Sequence, residues 1–187
     1  MRTSLPLAAV LLAIAVSARP ARADGKSDVE SGPATRAAVP ALKVFVATGK
    51  SAGKEADVAA ERKDDPTLYV FVRADAWDRP TARFLTALND EARKAGGDAE
   101  VIAVWLTDDV DKAKEYLPKA DQSLQLGRTT FAVHPGDAAG PADWRLAGGA
   151  AVTVVTARGG KVAAAAGFKS VNEKDAPAAA AGLTAKG

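Results

Sequence analysis

Two uninterrupted apolar runs constrain this chain most: Leu68-Tyr69-Val70-Phe71-Val72 and Val101-Ile102-Ala103-Val104-Trp105-Leu106. Neither alternates polar with apolar residues, so neither leaves a face for solvent. Runs of this kind read as strands buried on both sides. Between them Pro80 opens a helix at its first turn, where a missing N–H costs nothing. Phe84, Leu85, Leu88, Ala92 and Ala95 then recur at helical spacing, and Gly96-Gly97 ends the helix. Strand, helix, strand in this order is a parallel β-α-β unit.

The remaining elements surround that unit. Leu42-Lys43-Val44-Phe45-Val46 predicts an earlier strand closed by Gly49. A helix is expected from Asp109 to about Leu117, with Asp108 or Thr107 as its cap. Phe131-Ala132-Val133 predicts a short strand and residues 138–146 a short helix. Val152-Thr153-Val154-Val155-Thr156 is a third clear strand. The turn Arg158-Gly159-Gly160-Lys161 folds residues 162–168 back as a hairpin, before a last helix. A parallel unit joined to an antiparallel hairpin is an α/β sandwich with a mixed central sheet.

Four segments divide the 187 residues. Residues 1–23 read as a secretory signal peptide: Arg2 supplies the positive start, residues 5–16 the apolar run, and Ala21-Arg22-Ala23 the small residues a signal peptidase inspects. Cleavage is expected after Ala23, giving a periplasmic or extracellular protein. The apolar run falls short of the about 20 residues that span a bilayer, so no membrane span is expected after cleavage. Residues 24–38 read as a polar, disordered leader, residues 39–175 as the folded domain, and residues 176–187 as a flexible Ala/Gly-rich tail.

Composition then removes whole classes of chemistry. There is no cysteine and one histidine, His134. Disulfides, thiolate metal sites and cysteine nucleophiles are excluded, and a multi-histidine metal centre with them. No metal and no cofactor is expected. Arg2, Arg19 and Arg22 leave with the signal peptide, so 22 basic residues face 23 acidic ones in the exported chain. That balance offers no basic stripe for nucleic acid.

The element order and three local segments resemble the thioredoxin-like superfamily, especially its exported thioredoxin- and peroxiredoxin-type thiol–disulfide oxidoreductases. Where the family carries Trp-Cys-x-Pro-Cys after a strand, this chain reads Trp77-Asp78-Arg79-Pro80-Thr81. Val101 to Leu106, followed by Thr107-Asp108-Asp109, is similar to the family's next strand and its Asp-containing exit. Val152 to Val162, with Gly159-Gly160-Lys161, is similar to its terminal hairpin. The resemblance covers roughly residues 39–175 and implies a three-layer sandwich with helices flanking the mixed sheet.

Asp78 and Thr81 stand at the two cysteine positions; in a peroxiredoxin register the lost cysteine falls at Arg79 instead. The residue at the family's cis-proline position is about Val152, behind Ala150 and Ala151. Thiolate attack and sulfenic acid formation need sulfur, so no thiol oxidoreductase or peroxidase activity is expected.

The resemblance implies a groove lined by Trp77, Asp78, Arg79, Pro80 and the segment Ala150-Ala151-Val152, where this fold holds an extended chain by backbone pairing. The first reading is therefore a redox-inactive module binding a protein or extended peptide. A second makes Asp78 a general base and Arg79 an anion clamp in a non-redox enzyme, while helix capping by Asp78 accounts for the same residues. A third is a structural subunit of an envelope complex. His134, in Val133-His134-Pro135-Gly136-Asp137, reads as a surface turn residue. The acidic run from Thr107 to Asp111 lacks the spread of a calcium loop and reads as helix capping. Gly49-Lys50-Ser51-Ala52-Gly53-Lys54-Glu55 departs from the phosphate-loop spacing and reads as a loop. Trp105 and Trp144 read as core or half-buried.

Overall fold

The computed structural model describes residues 27–184; the segment read as a signal peptide, residues 1–23, lies outside them. Seven strands form one sheet: β1 (Lys43–Val46), β2 (Lys54–Asp57), β3 (Thr67–Arg73), β4 (Glu100–Leu106), β5 (Thr129–Val133), β6 (Val152–Arg158) and β7 (Lys161–Phe168). Their spatial order is β2-β1-β5-β4-β3-β6-β7. β3 and β4 run parallel, as do β4 and β5. The other neighbouring pairs are antiparallel. The sheet is mixed, with its parallel strands in the middle, where both faces are covered.

One face carries α2 (Arg79–Ala95), α3 (Val110–Leu124) and α4 (Ala176–Ala179). Phe84, Leu85 and Leu88 of α2 and Leu117 of α3 meet Leu68, Val70, Val101 and Phe131 there. On the opposite face α1 (Val58–Arg62) and a 3-10 turn at Ala142–Trp144 bury Tyr69, Phe71, Ile102 and Val104. Trp144 is fully buried, with its ring against Tyr69 and Phe71, and its Nε1 donates to the Ala41 carbonyl at 3.0 Å. Arg62 closes one end of the central strands. Its guanidinium donates to Thr67, Pro66 and Asp98 and pairs with Glu100 at 2.9 Å.

Several expectations are corrected. Residues 27–38 of the expected disordered leader form a strap. Val29 bridges Gly167 and Ala38 bridges Lys161, so the strap meets the outer edge of β7 at both ends. Between them Ser31 is buried, its hydroxyl 2.7 Å from that of Thr153. The close crossing depends on Gly167: a Cβ there would stand 2.6 Å from Ser31 Cβ and 2.8 Å from the Val29 carbonyl. The tail expected to be flexible is also packed, as far as residue 184. Ala176, Ala179 and Leu183 join the core, and Thr156 donates to the Ala179 carbonyl at 3.1 Å. Alanine and glycine there allow close backbone approach to the sheet, which composition alone does not distinguish from flexibility.

Within the domain, Gly49 to Gly53 is the turn of a hairpin, and Lys54 and Glu55, read as the end of that loop, begin strand β2. α3 continues through Pro118 to Leu124. The lost backbone bond is offset by burying Leu117 and Ala120 on either side of the proline. The segment 138–146 contributes only the short 3-10 turn.

Candidate functional site

The segment leaving β3 shapes the site. A single 3-10 turn (Ala74–Ala76) follows the strand, and Trp77-Asp78 then leads into α2. Asp78 is the N-cap. Its Oδ1 accepts from the Thr81 backbone N–H at 2.8 Å and lies 2.7 Å from the Thr81 hydroxyl, which is also 3.1 Å from the Ala76 carbonyl. The Thr81 N–H and hydroxyl hold the Asp78 carboxyl below the usual carboxylate range. Asp78, Arg79 and Pro80 are exposed, and Thr81 is buried.

Trp77 faces the other way, toward α3. Its ring is tilted against buried Trp105 at 4.6 Å between centroids, and its Nε1 donates to the Tyr116 hydroxyl at 2.9 Å. Trp105 in turn lies 6.1 Å from Tyr116 and 6.4 Å from Phe131. The aromatic stack therefore runs from the core to the surface. Tyr116, 43% exposed, is the one large hydrophobic side chain among the described residues that is exposed. It escaped the sequence reading. The available signal was an aromatic residue at a polar position, with Lys112 one turn before it and Lys119 nearly one turn after it.

The structure separates the candidate residues. Trp77, Asp78, Arg79, Pro80 and Thr81 gather at the start of α2. Val152 does not belong to the surface: it pairs with Val72 on one side and Phe168 on the other, and it is 1% exposed. Ala151 is half-buried and its backbone is occupied. Its carbonyl accepts from Arg73 N–H at 3.0 Å, and its N–H donates to the Phe168 carbonyl at 2.8 Å. A peptide cannot pair with the Ala151 backbone while β6 lies between β3 and β7. The groove implied by the resemblance is corrected on this side.

Asp78 lines neither of two clefts at the surface. A cleft of about 20 Å³, room for one water, lies on the other face between Phe71, Arg73, Leu106 and Thr153. A shallow open depression of about 420 Å³ lies beyond the end of α3, where burial raises the Asp121 carboxyl above its usual range. An exposed carboxylate held low by capping is a weak proton acceptor, because a general base works best with a pKa near the working pH.

Other singled-out residues also find places. Asp109, not Asp108 or Thr107, caps α3, accepting from Lys112 N–H at 3.1 Å. Thr107 accepts from Asp109 N–H, and Asp108 from Ala138 N–H. His134 is half-buried rather than a surface turn residue. Its N–H continues the β4–β5 pairing to the Trp105 carbonyl at 3.0 Å, and its ring Nδ1 is buried without a hydrogen-bond partner. Burial lowers its pKa, against an opposing attraction from Asp137. Among the described residues no group of His, Cys, Asp or Glu is placed to hold a metal ion, and no helix is long and apolar enough to cross a membrane.

No protein-family model and no curated protein matches the sequence. Solved structures do match. A DsbF homologue from Corynebacterium diphtheriae superposes with a TM-score of 0.58 at 15% identity, over 79% of this chain and 87% of that one. The peroxidoxin BcpB from Mycobacterium tuberculosis gives 0.56 at 18%, over 80% and 95%. BsSco, a member of the Sco family of cytochrome c oxidase assembly proteins, gives 0.56 at 13%, over 84% and 100%. Identities this low establish the architecture. The chain has the thioredoxin-like fold of redoxins and peroxiredoxins. Its sequence contains no cysteine.

Proposed function

We propose that this chain is an exported, redox-inactive thioredoxin-like module that binds a protein or extended peptide. Its binding surface is the start of α2, where redox proteins of this fold carry their cysteines, widened by Tyr116 of α3. One observation carries the reading. The exposed large aromatic residue sits beside the degenerate motif, joined to Trp77 by a hydrogen bond and backed by buried Trp105. Aromatic rings with a polar tip and a rigid support are what protein-binding surfaces concentrate. Asp78, with its carboxylate committed to the cap, supports helix geometry and not proton transfer. A structural subunit would present a broad apolar face, and exposure of Tyr116 alone supports a compact contact instead. Residues 1–23 support export.

Capture from envelope extract tests this reading. The wild-type chain and a Trp77→Ala, Arg79→Ala variant serve as paired baits. A partner retained by the wild type and lost by the variant is expected. Equal retention by both baits moves the interface elsewhere and overturns the reading.

A further inference from the structure

We infer that the open depression at the end of α3 binds a guanidinium group, with the Asp121 carboxylate as its anchor. This is a second surface, and the inference stands apart from the binding reading above. The depression, of about 420 Å³, is bounded by Asp121, Gln122, Gln125, Leu126 and Gly127.

Asp121 is the anomaly that marks it. Among the described residues it is the one half-buried carboxylate with neither a hydrogen bond nor an ion pair. The other half-buried acids are engaged. Asp57, Glu100 and Asp175 accept hydrogen bonds, and Asp65, Asp90 and Glu91 lie within ion-pair distance of arginine or lysine. Nothing basic lies three or four positions from Asp121, where Leu117, Pro118, Leu124 and Gln125 stand. Lys119, two positions before it, falls on another side of the helix. Arg128 has its guanidinium on the Gly97 and Ala99 carbonyls. Burial therefore acts on the Asp121 carboxyl with no cation opposing it. A half-buried charge without a partner costs the free protein stability, and a cationic ligand would relieve that cost.

The helix end adds to the demand. The last carbonyls of an α-helix carry partial negative charge. α2 meets its own with Arg93 and Lys94 in the last turn, whereas α3 has no base there. Gln125 N–H takes the Asp121 carbonyl at 2.8 Å, and no backbone donor among the described residues reaches the carbonyls of Gln122, Ser123 and Leu124. The side-chain amides of Gln122 and Gln125 are exposed and make no hydrogen bond among the described residues.

The depression thus offers many oxygen acceptors beside buried Leu126. A guanidinium carries five donors in one plane, grips a carboxylate with two of them and is weakly hydrated for a cation. An ammonium is a compact, strongly hydrated charge with three donors, and fits a partly apolar site less well. A hard divalent cation takes several charged oxygens, and Asp121 is the one acid lining the depression.

NMR of the isotope-labelled chain tests the inference. The probes are N-acetylarginine amide, free arginine, N-acetyllysine amide and the neutral N-acetylcitrulline amide. The arginine probes are expected to move the amide signals of residues 121–127 and to lose affinity as salt rises. The lysine probe should bind more weakly and the citrulline probe should leave those signals in place. Asp121→Asn should weaken N-acetylarginine amide about tenfold, at a melting temperature equal to or above that of the wild type. Gln122→Glu, on the exposed side, should tighten it.

Tighter binding of N-acetylarginine amide than of free arginine assigns the group to a polypeptide side chain, and the reverse order assigns it to the free amino acid; both support the site. Equal shifts from the citrulline probe, arginine binding indifferent to Asp121→Asn, or no localised shift at all overturn the inference. Lysine binding as tight as arginine binding overturns the guanidinium class. Trp77 and Arg79 take no part in this site, so capture by the paired baits stands or fails independently of every one of these outcomes.

Discussion

The hydroxyls of Ser31 and Thr153 meet at 2.7 Å across 122 positions of sequence, inside the protein. Ser31 Oγ also accepts the Ala147 N–H at 2.9 Å. One small polar side chain thus ties the N-terminal strap both to β6 and to the loop that precedes it. The arrangement satisfies three polar groups at once, the hydroxyls of buried Ser31 and Thr153 and the N–H of half-buried Ala147. It also turns a segment of loop-like composition into part of the fold.

Ser31→Ala leaves the Thr153 hydroxyl and the Ala147 N–H without that partner. Stranding buried polar groups costs about 1–3 kcal/mol. Urea denaturation should show a lower midpoint with an unchanged slope. A midpoint equal to that of the wild type would mean that the strap does not hold the domain together.

His134 makes stability sensitive to acid. Burial lowers its pKa in the folded chain below the unfolded value. The unfolded chain therefore takes up the proton first. The contribution is present above the unfolded value of about 6.5 and is lost as pH falls through it toward the folded value. Melting temperatures measured from pH 7.5 down to 5, a range of about two and a half units around that value, should fall more steeply for the wild type than for His134→Gln. Parallel slopes would show that the ring titrates alike in both states.

Asp78→Cys with Thr81→Cys should form a disulfide under mild oxidation. The two side chains already touch, with Thr81 Oγ1 2.7 Å from Asp78 Oδ1. Loss of the cap should lower stability in the reduced form by about 1 kcal/mol. Alkylation followed by mass measurement reads the outcome. Two freely alkylated thiols after oxidation would show that the start of α2 does not match the redox motif.

Leu85 and Leu88 are 1% and 0% exposed in the core beneath α2. Either Leu→Ala substitution should cost about 2–5 kcal/mol. Thermal melts of both variants would decide, and a melting temperature within error of the wild type would contradict the packing of this helix.

Much of the architecture was legible because the governing signals are local. The runs at 68–72 and 101–106 became the parallel pair β3 and β4, and Pro80 and Gly96 bracket α2. The helix start was legible too, since a cap needs only residues three apart. Strand β2 was hidden because Lys54-Glu55-Ala56-Asp57 is a charged edge, held by pairing with β1 and not by apolar pattern. The strap and the packing of the terminal helix were hidden for a related reason. Serine, glycine and alanine are frequent in disordered chains, yet they also permit the closest approach of one backbone to another.

The candidate site divided along the same line. Trp77, Asp78, Arg79, Pro80 and Thr81 are contiguous, so the sequence displayed them together. Val152 was misplaced because its exposure depends on what lies beside β6, and β3 and β7 enclose it. Tyr116 was missed because it lies 39 residues from Trp77.

By itself the sequence determined a β-α-β centre, a helix capped by Asp78 and a chain with no sulfur for redox chemistry. Periodicity, capping and composition act over a few residues and need no partner to be read. Only the tertiary structure decided that Trp77 meets Tyr116, that Ala151 has no free backbone to offer, and that residues 27–38 close over β7. Those outcomes depend on strand order and on close packing between distant segments, and neither is encoded in any single stretch of the chain.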